Sequence, residues 1–423
     1  MLQERAAAGH PILFALFGAG FMGRGILHQL RYHQGLRCPA VCARDPEKAL
    51  VALKGMGYEE ARVVNSSQSL DSLIASGGIG ITSDPDVVCG SERIEGVLDA
   101  TGAVDYGAGI VSRALEAGKH SVVLNAELDG TIGPLLKEKA DQAGVVYTGC
   151  DGDQPAVEMN LYRFVRTLGL EPLVCGNIKG LHDPHRTPTT QQAFAEKWGQ
   201  SATMVTSFAD GTKVSFEQAV VANATGMSVA KRGMGGFKHE GHVDDLVSHY
   251  DPDELRRLGG IVDYVVGASP SPGVFVLAAA RDETQAHFLH LGKLGQGPLY
   301  SFYVPYHLLV LEAPLTVARA VAFGDAAIAP AGGPRVEVVA VAKRDLAAGE
   351  TIDGLGGYMT YGTCENYGPA RTEGLLPIGL AEGARLRRGI GRDQLLHIDD
   401  VVYPTGTFVH SLRAEQDAMF SES

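Results

Sequence analysis

Ile12-Leu13-Phe14-Ala15-Leu16-Phe17, followed by Gly18-Ala19-Gly20-Phe21-Met22-Gly23, is the stretch that decides the fold. A parallel strand buried on both faces reads as an unbroken apolar run. Glycines after such a strand allow a tight turn and a close approach of backbone to a pyrophosphate. The helical pattern of residues 22–31 then turns its positive end toward the phosphates. In a chain with 54 glycines a Gly-x-Gly-x-x-Gly run arises easily by chance. Its setting between a strand and a helix, with a second apolar strand at residues 37–43, makes it a dinucleotide fingerprint. Gly18, Gly20, Phe21, Met22 and Gly23 are expected to bind the cofactor.

Strand and helix patterns alternate outward from this turn to residue 148, with strands at 96–99, 121–124 and 144–147 and helices at 106–117 and 133–142. That order predicts an α/β fold with a doubly wound parallel sheet of the Rossmann kind. Ala100-Thr101-Gly102 and Asn125-Ala126-Glu127 follow strand ends and fall on the carboxyl edge, where open sheets bind ligands; plain turn chemistry is the alternative. Arg44 follows the second strand, where an acidic residue would bind a ribose hydroxyl and an arginine accepts a 2′-phosphate. NADPH or NADP is therefore the expected cofactor, and Asp45 before Pro46 and Glu47 reads as the cap of the next helix.

After residue 151 the alternation becomes irregular, with Gly- and Pro-rich loops between helical patterns at 190–199, 215–225 and 308–323. The small, uncharged stretch 326–334 reads as a linker, and residues 335–342 alternate as a strand. Three domains are expected: a Rossmann NAD(P)-binding domain over 1–154, an α+β substrate, catalytic and dimerisation domain over 155–330, and a small β-rich domain over 331–423.

Composition narrows the function. With 36 Lys and Arg against 49 Asp and Glu, a net charge of −13 and no basic run, nucleic acid is not an expected partner. No apolar stretch reaches membrane-spanning length, and the acidic start with Glu4 lacks a signal pattern, so a cytoplasmic enzyme without membrane contact is expected. Cys38, Cys42, Cys89, Cys150, Cys175 and Cys364 are scattered as reduced thiols would be.

Carbonyl reduction builds negative charge on oxygen, which a partly buried lysine can stabilise or protonate. Lys179 after the apolar run 172–178 suits that role, with a surface ion pair as the alternative. Asp151 and Asp153 beside Gly152 suit either a divalent metal that orients a diol or a helix cap before Pro155. Glu217 can handle a hydroxyl proton, and Asn223, in an apolar helix, needs a partner that a ligand or the core supplies. Asp183, His185 and Arg186 occupy a Pro-bounded loop able to close over substrate, with a mobile surface loop as the alternative, while His239, His242, Asp244 and Asp245 read as a polar loop rather than a metal cluster.

Residues 125–129, 132–136 and 149–155, then 206–213, 222–226 and 305–308, resemble the 1-deoxy-D-xylulose 5-phosphate reductoisomerase-like (DRL) family, whose cofactor domain is similar to homoserine dehydrogenase. The tail, with Arg344-Asp345-Leu346 and Ala348-Gly349-Glu350, resembles a SAF-type β-clip domain. The resemblance implies an NADPH-dependent homodimer that reduces, and in some members rearranges, a small polar or phosphorylated hydroxy-carbonyl substrate. It adds Lys213, Asp210 and His307 to Lys179, Glu217 and Asn223 as catalytic candidates. A dehydrogenase without rearrangement and a non-catalytic nicotinamide-nucleotide sensor are the alternative functions.

Overall fold

The computed structural model describes residues 1–421, which form two compact units. Unit 1 comprises Met1–Asp153, Leu308–Ala329 and Ser411–Gln416; unit 2 comprises Gln154–His307, Pro330–His410 and the residues from Asp417 on.

Unit 1 is a parallel sheet of β1 (Ile12–Phe17), β2 (Leu36–Cys42), β3 (Ala61–Val63), β4 (Ile79–Thr82), β5 (Gly96–Asp99), β6 (His120–Val123) and β7 (Tyr147–Gly149), in the order β3-β4-β2-β1-β5-β6-β7. This is the doubly wound Rossmann sheet expected from the sequence. The unbroken apolar run of β1 has a direct cause. Ile12, Phe14 and Leu16 enter one core with Ile26, Leu27 and Val317, while Ala15 and Phe17 enter another with Leu70, Val97 and Ile110. The order in which strands are added reverses between β1 and β5, and Phe17 stands in register with both Cys42 and Asp99, so the strand ends form one carboxyl edge.

The helix expected over 133–142 is longer, Ala126–Ala143, and contains Gly130, Gly133 and Pro134. Burial of Leu128, Ile132, Leu135 and Leu136 outweighs their poor helix propensity. Pro134 breaks the local ladder, and Gln416 from the helix Phe408–Met419 repairs it: its Oε1 accepts from Leu135 N at 3.2 Å and its Nε2 donates to Thr131 O at 3.3 Å. Gly144, at φ 69°, ends the helix, which moves the following strand from 144–147 to Tyr147–Gly149.

Unit 2 holds a mixed sheet of β8 (Glu171–Lys179), β9 (Phe237–Lys238), β10 (Ile261–Val266), β11 (Gly273–Ala279) and β12 (Leu299–Val304), ordered β12-β11-β8-β10-β9. Helices Gln154–Thr167 and Thr212–Thr225 pack on it, and every residue from Thr212 to Ala224 is buried. The second helix is enclosed because β13 (Val336–Ala342) and β14 (Thr360–Asn366) cover its far side. Gly362 N donates to Thr212 Oγ1 at 2.9 Å and Ser215 Oγ donates to Gly362 O at 3.2 Å.

The boundary between the two units falls inside the stretch 326–334, at Ala329 and Pro330, and the backbone on each side is hydrogen-bonded within its own unit. Thr148 Oγ1 accepts from Ala327 N and Ile328 N, and Ile328 O accepts from Gly149 N. On the unit 2 side Asn223 O accepts from Ala331 N. Lack of periodicity in small residues signals irregular backbone, and irregular backbone can still be fully hydrogen-bonded.

Candidate active site

The carboxyl edge of unit 1 is shaped by backbone. Gly18 has φ +101° and its N–H donates to Cys42 O. A Cβ on Gly23 would stand 2.0 Å from Gly18 O, so only glycine lets the helix Phe21–Gln29 start this close to β1. A Cβ on Gly20 would meet nothing within 4 Å, and the helix has no side-chain cap there. An exposed, uncapped helix start with open space in front is what a pyrophosphate requires. Phe21 is exposed and Met22 half-buried at its rim. Arg44 is exposed two residues beyond β2, with no hydrogen bond or ion pair among the described residues, and Asp45 caps the next helix by accepting from Lys48 N at 2.9 Å.

On the other side of the switch point Asp99 organises the loops. Its Oδ1 accepts from Thr101 N at 2.9 Å and Thr101 Oγ1 at 2.6 Å, and its Oδ2 accepts from Asn125 Nδ2 at 3.3 Å. Asp99 is fully buried, and burial lifts its carboxyl above the ordinary range against these bonds. Asn125 also caps the helix Ala126–Ala143 through Leu128 N and donates to Ala103 O. The side chains of Thr101 and Asn125 are thus engaged in holding the loops, as are the backbone N–H groups of Ala100, which donates to Phe17 O, and of Thr101. Glu127 is buried in the first turn of that helix.

In unit 2 the polar residues converge on the end of β8. Pleating puts Cys175, Asn177 and Lys179 on one face, toward the two helices. Lys179 Nζ donates to Gln154 Oε1 at 2.7 Å and to Glu217 Oε2 at 2.7 Å, and Asn177 Nδ2 donates to the same Glu217 oxygen at 2.9 Å. Glu217 is 3% exposed and Asn177 0%, so the acceptor is fixed, while Lys179 keeps a third N–H without a partner among the described residues. Lys213 lies one turn before Glu217 on the same helix and is buried.

Asp210 and Asn223 bond to other partners. Asp210 is fully buried, its Oδ1 accepts from Thr212 N and its Oδ2 meets Lys343 Nζ at 2.7 Å, so it holds the helix start. Asn223 has found the core partner rather than a ligand: its Oδ1 accepts from Arg335 N at 2.7 Å and Val336 N at 3.2 Å, which anchors β13. His307 follows β12, with its Nδ1 buried and unpartnered. The loop of Asp183, His185 and Arg186 is fastened: His185 Nε2 lies 2.8 Å from Asp393 Oδ1, and Lys343 Nζ donates to Arg186 O at 2.9 Å.

Asp151 does not suit a metal. Arg319 Nη1 reaches its Oδ1 at 2.9 Å and its Oδ2 at 3.0 Å, and Thr316 Oγ1 donates to Oδ2 at 3.1 Å. Asp153 is buried nearby in sequence. Among the described residues no three His, Cys, Asp or Glu side chains are grouped to hold a metal ion, and His242 instead accepts from Asp244 N as a helix cap.

Sequence reasoning missed Gln154, Glu158, Asn177 and Gln218. Each is a buried polar residue inside a largely apolar segment, and that pattern was the available signal.

Residues 152–313 match the family model described as oxidoreductase DRL, catalytic domain. The match contains Lys179, Lys213 and Glu217, and it bears out both the resemblance and the expectation of an oxidoreductase. No curated protein matches the chain. A probable dehydrogenase from Thermotoga maritima is similar at 13% identity and a TM-score of 0.41, over 76% of this chain and 91% of that one. A DOX-P reductoisomerase in complex with magnesium is similar at 14% identity and a TM-score of 0.38, over 74% of this chain and 70% of that one. Among the described residues no helix is long and apolar enough to cross a membrane.

Proposed function

We propose that this oxidoreductase uses NADPH to reduce the carbonyl of a small polar hydroxy-carbonyl compound, free or phosphorylated, with Lys179 as proton donor. The observation that carries the reading is the remaining N–H of Lys179, an ammonium whose other two hydrogens are fixed by Gln154 and Glu217. An acid held this way needs no reorganisation when negative charge develops on the substrate oxygen. Hydride is the chemistry the nicotinamide supplies when bound. The carbonyl π pair moves to oxygen as its carbon accepts hydride, and that oxygen takes the proton from Lys179 Nζ. Glu217, kept in place by Asn177, balances the ammonium before transfer. The turn at Gly18, Gly20 and Gly23 with the helix start would hold the pyrophosphate, and Arg44 the 2′-phosphate.

In this reading unit 1 binds nucleotide, Gln154–His307 of unit 2 supply the chemistry and the β-rich part of unit 2 after Pro330 buttresses it, and two chains assemble as a homodimer, which light scattering would test. Asp151, tied to Arg319, gives no support to a metal-assisted rearrangement, so simple reduction is the form proposed. The test is NADPH oxidation with a panel of hydroxy-aldehydes and hydroxy-ketones, free and phosphorylated. A reduced product with the carbon skeleton unchanged is expected. An altered skeleton would establish reductive isomerisation, and NADPH binding without turnover of any member would favour a sensor.

A further inference from the structure

Behind Lys179 the polar network continues into the interior. Glu158 lies on the helix Gln154–Thr167, one turn after Gln154, and is 0% exposed. Its Oε2 accepts from Gln218 Nε2 at 2.9 Å. Its Oε1, the Oδ1 of Asn177 and the Oε1 of Gln218 are all buried without a hydrogen-bond partner. With Glu158 ionised, all three orphans would be acceptors, and no cation bonds to Glu158, since Lys179 is committed to Gln154 and Glu217. An isolated buried carboxylate is strongly disfavoured, and a set of acceptors without a donor adds to the cost. One hydrogen on Glu158 turns one of these acceptors into a donor.

We propose that Glu158 is a protonated positioning residue: its O–H donates to the orphaned Oδ1 of Asn177, fixes that amide, and thereby orients Glu217 against Lys179. The inference deepens the reading of Lys179 as the proton donor and rests on it for its functional meaning. The surroundings agree. Burial holds the Glu158 carboxyl well above its ordinary range, with the bond from Gln218 pulling down, Glu217 pushing further up and Lys179 pulling down. The titratable groups of the packed elements are Lys179 and Cys175 from β8, with Glu171 at its far end, Glu217 with Lys213 one turn away from the helix Thr212–Thr225, and Tyr300 and Tyr303 from β12; β11 brings none.

Three measurements on the full chain test this. In the infrared spectrum near neutral pH, wild type should show a carboxylic-acid C=O band that disappears in Glu158→Gln. The second compares folding equilibria of these two proteins across pH. Above the carboxyl value of the unfolded chain, about 4.3, unfolded wild type releases a proton that the folded protein keeps. Stability of wild type relative to Glu158→Gln should therefore fall as pH rises above that value, approaching about tenfold in folding constant per unit while the folded carboxyl keeps its proton. Absence of the band, or a pH-independent difference, would overturn the proton assignment. The third measures labelling of Lys179 by acetic anhydride, read by mass spectrometry. Glu158→Gln, which retains a donor, should label like wild type, whereas Glu158→Met should label about threefold faster or more because Glu217 holds the ammonium less well. Equal labelling in a folded Met variant would overturn the positioning role. Should that variant not fold, Asn177→Ala reads the same change one residue along the network, and equal labelling there has the same meaning. None of these readouts requires turnover, so a failed catalytic reading of Lys179 is recognised separately, by undiminished turnover in Lys179→Met.

Discussion

The carboxyl edge of the Rossmann sheet and the end of β8 are built by opposite means. At the first, Gly18, Gly20 and Gly23 act through what they lack, and the site is a shape made by six consecutive residues. At the second, Gln154, Asn177, Lys179 and Glu217 act through charge and hydrogen bonds, drawn from three elements as far as 63 residues apart in sequence (217 − 154). A site made of backbone geometry is local and tolerates variable neighbours. A site made of side chains depends on every packed element that aims them.

The sharpest way to test this contrast is Lys179→Met. It should lower turnover about a hundredfold or more while leaving NADPH affinity close to wild type, the scale expected when a positioned acid is removed. Stopped-flow rates and a nucleotide titration on the same protein separate the two, and a parallel loss of affinity would show that the two regions are coupled. Next in size is the pair Gly23→Ala and Gly20→Ala. The first places a methyl 2.0 Å from Gly18 O and should destabilise the protein by about 3 kcal/mol, seen in the denaturation midpoint. The second meets no protein atom and should keep wild-type stability while weakening NADPH. Unchanged affinity in Gly20→Ala would break the assignment of the glycine turn.

Asn223→Ala probes the packed side of the comparison. Leaving the buried N–H of Val336 and its neighbour Arg335 without Oδ1 should cost about 2 kcal/mol, with little change in the turnover of the folded fraction. A large loss of turnover at unchanged stability would return Asn223 to the chemistry. The smallest effect belongs to Arg44→Ala, which should reduce the preference for NADPH over NADH about tenfold and leave NADH affinity alone. Calorimetry with both nucleotides decides it, and wild-type protein preferring NADH would transfer the ribose contact to Asp45.

Much of unit 1 could be read from sequence because its signals are short-range. The run ending at Phe17 is apolar throughout since both its faces are buried, and β1 and β5 occupy the expected residues. The helix Ala126–Ala143 defeated the same reasoning, because Gly130, Gly133 and Pro134 break helices locally and only tertiary burial, with Gln416 closing the gap, restores it. In unit 2 Lys179 and Glu217 were legible as candidates, but their pairing was not, since residue type states what a side chain can do and not what it faces.

The sequence by itself determined the parallel sheet, the glycine turn and the chemical character of the candidate residues, because hydrophobic periodicity and backbone freedom are properties of neighbouring positions. Tertiary structure alone decided which polar groups share a partner. It gave Asn223 to β13, Asp151 to Arg319 and Asp210 to Lys343, and it left Lys179 with a hydrogen to donate. A buried polar atom must find its complement wherever the fold brings one, and that distance is fixed by packing rather than by position along the chain.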